Sequence, residues 1–238
     1  MRGYKNRAYN FPRGFYGAGH AWNWYCFYSV VENVAQTLGP QAVLTGMEGV
    51  VMATAINQVN GIEVDRLFET VEEVKKNPEA AQCKFRARNK WINGGHNRAR
   101  IRDFVIGGQM MEHDREWFVE MDEPPALLGE DKGLNPVEAL LAALSGCITT
   151  SMIVQASAQG IHIDVVESEY EGDLDLRGLL AVSPDVRNGY SEIRVKFKIK
   201  ADVPDEQLRD LVKAGQDRSP VYEMVSASVP VKVTCEKI

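Results

Sequence analysis

Residues 139–159 contain no charged side chain, and the run is introduced by Asn135-Pro136-Val137-Glu138. That introduction is a helix start. Asn135 suits the cap, Pro136 at the first helical position gives up only an N–H that would lack a partner anyway, and Glu138 can reach back toward the cap in a capping box. The pattern predicts a helix from Pro136 that stops at Gly160. So apolar a segment must be covered, and its Ala, Gly and Ser residues let a neighbouring backbone or helix come close. Length alone would also allow a membrane span. Ser145, Thr149, Thr150, Ser151, Gln155, Ser157 and Gln159 dilute the run, so it reads as a core helix. It carries one thiol, Cys147, about three turns from its start.

The chain has 238 residues, 25% charged and 45% hydrophobic, with a net charge of −6. These are globular values, enough for one or two domains, and the negative charge argues against general affinity for nucleic acid. The cysteines Cys26, Cys83, Cys147 and Cys235 are scattered, with no Cys-x-x-Cys pair. They read as reduced thiols of the cytoplasm. Residues 21–31 are apolar but short, include Asn23 and Ser29 and lack a clear cleavage site, so no signal peptide is expected.

Residues 1–51 differ from the rest in their clustered aromatics (Tyr16, Trp22, Trp24, Tyr25, Phe27, Tyr28) and lack of any period. Back-translated, Met47-Glu48-Gly49 contains a purine-rich ribosome-binding sequence, with Val50-Val51 as spacer before Met52. The expected division is an atypical extension over 1–51, read as an over-extended gene start, and a domain over 52–238. The alternative is a genuine aromatic extension that binds a membrane or partner. Within the domain, Val64, Leu67, Phe68, Val71 and Val74 recur at helical spacing. Residues 84–92 and 98–106 read as a hairpin about 93–97, and 117–121 as a third strand. Strands follow from Ile161 and around Ile193 to Ile199, helices over 205–214 and from Pro220, and a last strand with Val229, Val231, Val233 and Cys235 on one face.

The order GEDKGLNPVEALLAALSGC, hairpin, LRDLVKAGQDRSPVYEMV and final VPVKVTCEKI resembles the OsmC/Ohr family of thiol-dependent hydroperoxide reductases, over roughly residues 62 to 238. The resemblance implies an α+β fold, antiparallel β-sheets around a long central helix, in an intertwined homodimer whose active sites draw residues from both chains. It matches Cys147 to the peroxidatic cysteine. In the family an arginine in the turn between the first strands stabilises that thiolate, held by a glutamate directly after the Asn-Pro of the helix start. Here His96 occupies the arginine position, with Arg98 nearby, and Val137 follows Pro136. Glu138 cannot substitute on its own helix, because nine residues at about 100° each put it opposite Cys147. The family's second thiol lies in Cys-Pro-Val, which reads Ser219-Pro220-Val221 here. A serine cannot close a disulfide, so an oxidised Cys147 would need an external thiol. Cys235 shares its parity with three valines and reads as a packed strand position.

A thiol of ordinary pKa near ~8.5 is mostly protonated at neutral pH, and the helix dipole fades within the first turn, so a reactive Cys147 needs a cationic neighbour. A Cys147–His96 pair would suit acyl transfer as well as peroxide reduction. Read without the resemblance, Cys147 is sooner a buried structural cysteine and His96 sooner an exposed turn residue. Lys84, Arg86, Arg88, Lys90, Arg98, Arg100 and Arg102 alternate as on a solvated sheet face, and an anion- or RNA-binding face is the lesser reading. His20, His113 and His162 show no ligand spacing, so neither metal nor cofactor is expected. The leading expectation is one-cysteine reduction of organic hydroperoxides, with Cys147 as nucleophile, His96 or Arg98 stabilising its thiolate, and Ser219 donating a hydrogen bond to substrate oxygen. The alternatives are a non-catalytic protein holding an apolar or acyl ligand in the dimer cleft, or a Cys-His acyl-transfer enzyme.

Overall fold

The computed structural model describes residues 57–237. The N-terminal extension, with His20, Cys26 and the start at Met52, lies outside them.

A small hairpin, β1 (Gln58–Val59) and β2 (Ile62–Glu63), turns at Asn60-Gly61, both at positive φ. Asn-Gly is the residue pair that tolerates such a turn. Helix α1 (Val64–Lys76) follows at once, with the expected amphipathic pattern. The first sheet is antiparallel: β3 (Cys83–Phe85) and β4 (Arg88–Asn93) lie end to end along one edge of β5 (His96–Ile106), and β6 (Gln109–Met121) lies along the other. The hairpin expected about 93–97 thus forms, its outer strand broken at Arg86 and Ala87. The third strand begins eight residues earlier than expected, because Gly107 and Gly108, at φ +56° and +78°, supply a tight turn directly after β5. A register shift between Ile101 and Asp103 blurs the alternation that would have revealed it.

The long helix α2 (Pro136–Ala158) opens with the expected capping box: Asn135 accepts from the Val137 N–H at 2.9 Å, and the Asn135 N–H donates to Glu138 at 3.1 Å. Strands β7 (Ile163–Asp173) and β8 (Glu192–Ala201) form a second antiparallel sheet, joined through the single turn α3 (Leu176–Leu179). Helices α4 (Asp205–Asp217) and α5 (Pro220–Ser226) complete the order. The core lies where α2, α4 and the second sheet meet, around Met152, Ala156, Ile161 and Leu211. Gly215 makes the helix crossing possible, since a Cβ there would stand 2.7 Å from that of Met152.

The C-terminal strand is not formed. Residues 227–237 carry no strand, and Val229, Val231 and Val233 are 51%, 82% and 86% exposed. Alternation marks a face that wants covering, but a strand also needs a free sheet edge beside it, and among the described residues none pairs with this segment. Cys235, expected to be packed, is exposed.

Candidate functional site

Cys147 is a free, half-buried thiol on α2, in the turn between the buried Leu144 and Ile148. One turn on along the same helix face, Ser151 donates its hydroxyl to the Arg218 carbonyl at 3.4 Å. That contact ties the Cys147 stretch to the start of α5. Ser219 caps α5: its hydroxyl accepts from the Tyr222 N–H at 3.1 Å, and its carbonyl from the Glu223 N–H at 3.1 Å. At 2% exposed it sits inside the helix junction. The residue at the family's resolving position therefore holds a helix terminus.

His96 follows the two-residue turn Gly94-Gly95 at the start of β5. Its Nε2 lies 2.8 Å from Glu120 Oε2, and Arg98 Nε donates to the other oxygen, Oε1, at 2.5 Å. The pairing is dictated by register, since Arg98 and Glu120 stand directly opposite across β5 and β6. The bond to His96 is the largest influence on Glu120; with Arg98 it outweighs burial and holds the carboxyl below its usual range. Glu120 is thus ionised and accepts only, so the proton between it and His96 resides on Nε2.

Two residues on, Asp122 is 1% exposed and organises the connection to α2. Its carboxylate accepts from the backbone N–H groups of Glu123 at 2.8 Å and of Glu130 and Lys132 at 3.1 Å each. Burial pushes its pKa up, but these three donors and the nearby His96 bring it below the ordinary aspartate range. Gly95 packs against it closely enough that a Cβ would come 2.8 Å from Oδ1. Glu123 in turn accepts from the Asn135 side chain at 2.5 Å. The His96 turn, the end of β6 and the start of α2 are therefore one fastened unit.

The structure brings His96 and Arg98 together and places Ser219 at a helix junction linked to the Cys147 stretch. It does not join Cys147 to any of the three: among the described residues no side-chain hydrogen bond or ion pair reaches the thiol. Cys147 also lies about 18 Å along the helix axis from the Asn135 cap, at about 1.5 Å per residue. Glu120 and Asp122 were missed by sequence reading, because both act through strand register and loop folding. The basic set is laced with acids: Arg86 and Arg88 meet Asp103, Arg100 meets Glu116 and Arg102 meets Glu112. Such cross-strand pairing is that of a solvated, charge-balanced face. Among the described residues no cluster of three His, Cys, Asp or Glu has the arrangement of a metal site.

Helix α2 is long and apolar enough to cross a membrane by composition, yet Leu144, Ile148, Met152 and Ala156 repeat every four residues and the last three line the α4 contact or the core. One face of the helix is thus packed into the core, and the rest is left open by the described chain.

Comparison with known proteins bears on the domain that contains this helix. None of the curated proteins compared with the chain matches it. Among solved structures, an OsmC-like protein from Mycoplasma pneumoniae is 16% identical, the match covering 61% of this chain and 89% of that protein with a TM-score of 0.48. An organic hydroperoxide resistance protein OsmC from Legionella pneumophila is 17% identical, covering 62% and 94%, with a TM-score of 0.42. Residues 129–234, which hold α2 with Cys147, the second sheet and both C-terminal helices, match the family model described as OsmC-like protein, and this part of the chain is an OsmC-like domain.

Proposed function

We propose that the protein is a one-cysteine, thiol-dependent reductase of organic hydroperoxides that works as a homodimer in the cytoplasm. The observation that carries this reading is the position of Cys147: a free, half-buried thiol on the central helix of an OsmC-like domain, with no disulfide partner beside it among the described residues. The Cys147 thiolate attacks the terminal peroxide oxygen, an S–O bond forms, the O–O bond breaks, and the alcohol leaves with a proton. Cys147 is left as sulfenic acid. One external thiol condenses with it to a mixed disulfide and water, and a second releases the Cys147 thiol and a disulfide.

The dimer is part of the proposal. Only 17% of the most apolar window of α2 is buried by the described chain. The first sheet likewise leaves Phe85 73%, Trp91 67% and Phe118 53% exposed. Covering these surfaces with a second copy would also let the His96–Arg98 cluster of one chain serve the thiol of the other. Ser219 gives a lone pair to Tyr222 and keeps its O–H proton for a substrate oxygen. The reduced cytoplasmic thiol pool supplies the reductant.

The test is dithiothreitol-supported consumption of cumene hydroperoxide by wild type, Cys147→Ser and Cys235→Ser. Turnover lost in the first variant and kept in the second is the expected result. Loss in both brings the exposed Cys235 in as a resolving thiol, and no wild-type turnover sinks the reading. A groove of about 450 Å³ lined by Val195, Phe197, Ile199, Leu208, Arg209 and Val212 favours the second reading, a binding protein for an apolar or acyl ligand.

A further inference from the structure

Glu120 belongs to no motif, yet each of its two oxygens is taken by one of the side chains assigned to the thiol, His96 at 2.8 Å and Arg98 at 2.5 Å. Other groups around it are otherwise engaged. Asp122 is committed to three backbone N–H groups, and the Arg98 guanidinium rests 5.8 Å from the Phe118 ring centroid. Arg98 is exposed, and an exposed arginine samples many rotamers unless a fixed partner holds it. We propose that Glu120 is the positioning residue of the thiol site, aiming His96 and Arg98 at Cys147. The assignment rests on the thiol-chemistry reading above.

The chemistry follows from which atoms Glu120 occupies. Because the Nε2–H donates to the Glu120 carboxylate, Nδ1 is the ring nitrogen left with a lone pair in the neutral imidazole. That nitrogen accepts the proton of Cys147 Sγ as the thiolate forms, and Glu120 then faces an imidazolium. No atom is gained or lost, since the proton moves from sulfur to Nδ1. Arg98, bound through Nε, keeps its terminal N–H groups for the thiolate or the departing oxygen.

The two roles open to a nearby carboxylate have opposite signs. Acting only through its charge, Glu120 would disfavour the thiolate, and its removal would lower the Cys147 midpoint. Acting as an anchor, it delivers two partners to the sulfur, and its removal raises the midpoint. The experiment is the rate of iodoacetamide modification of Cys147 against pH, followed by mass spectrometry of its peptide in the full-length protein. Glu120→Gln is expected to raise the midpoint by about one unit, about tenfold less thiolate at a given lower pH. In a His96→Ala/Arg98→Met background the same change is expected to do nothing. A lower or unchanged midpoint, or an equal rise in that background, overturns the assignment. If Glu120→Gln gives no cooperative thermal unfolding, Glu120→Asp decides, keeping the charge but withdrawing the oxygens by one methylene: a rise supports the anchor and an unchanged profile overturns it. Wild-type hydroperoxide turnover is scored separately, so its absence beside the expected alkylation shifts removes the hydroperoxide reading and leaves the anchor standing.

Discussion

The C-terminal half of α2 and the first antiparallel sheet solve the same problem in opposite ways. Around Met152 and Ala156, both fully buried, the helix is enclosed by α4 and the second sheet. Asn60 then pins the small N-terminal hairpin there: its amide donates to the Ile161 carbonyl at 2.8 Å and to Ser157 Oγ at 3.2 Å, and accepts from the Ile163 N–H at 2.8 Å. In the first sheet, charges are matched across strands while large apolar side chains face outward. The first region is finished within one chain. The second has matched its charges and leaves its apolar side chains exposed, the surface that the proposed dimer would cover.

The sharpest way to break this contrast is in the finished region. Met152→Ala is expected to cost about 2–5 kcal/mol in urea unfolding, through lost transfer energy and a cavity that Gly215 cannot refill. A cost under about 1 kcal/mol would mean that the site collapses freely and is not a rigid core. Smaller is the effect of Asp122, on the border between the regions. Its folded-state pKa is lowered, so its stabilising contribution is fully present above the unfolded-state value of about 3.9 and is lost as pH falls through the lower folded value. Wild type is expected to lose stability relative to Asp122→Asn on acidification below about pH 4, and a gap that stays constant to low pH would refute it. The smallest effect belongs to Val231→Ser in the unpaired C-terminal segment, under about 0.5 kcal/mol at low protein concentration. A cost that grows with protein concentration would show that a second copy covers it.

What could be read without coordinates was local. Asn135, Pro136 and Glu138 specify a helix start within four residues, and the structure has each in its expected role. Pro220 and the alternation of Ile193 to Ile199 were equally plain, because capping and period-two patterns need no distant partner. The extent of β6 was hidden by a register shift, although Gly107-Gly108 announced its turn. The C-terminal segment shows the converse failure, a clear pattern with no sheet edge beside it. His96 and Arg98 were named from the family's turn between the first strands, and the structure pairs both with Glu120. Glu120 was not named, since it gains its partners only when β5 and β6 pair in one particular register, and Asp122 only when residues 123–132 fold back onto its carboxylate.

Ser219 makes position 219 a contested one. Its hydroxyl starts α5, so the family's cysteine at this position would come at the expense of the acceptor that receives the Tyr222 N–H, because sulfur accepts hydrogen bonds weakly. Two properties, a helix beginning and an internal disulfide, compete for a single atom. In the proposed one-cysteine cycle, a second thiol at this position would first require another cap for α5, so the reliance on an outside reductant would rest on the helix start as well as on the residue.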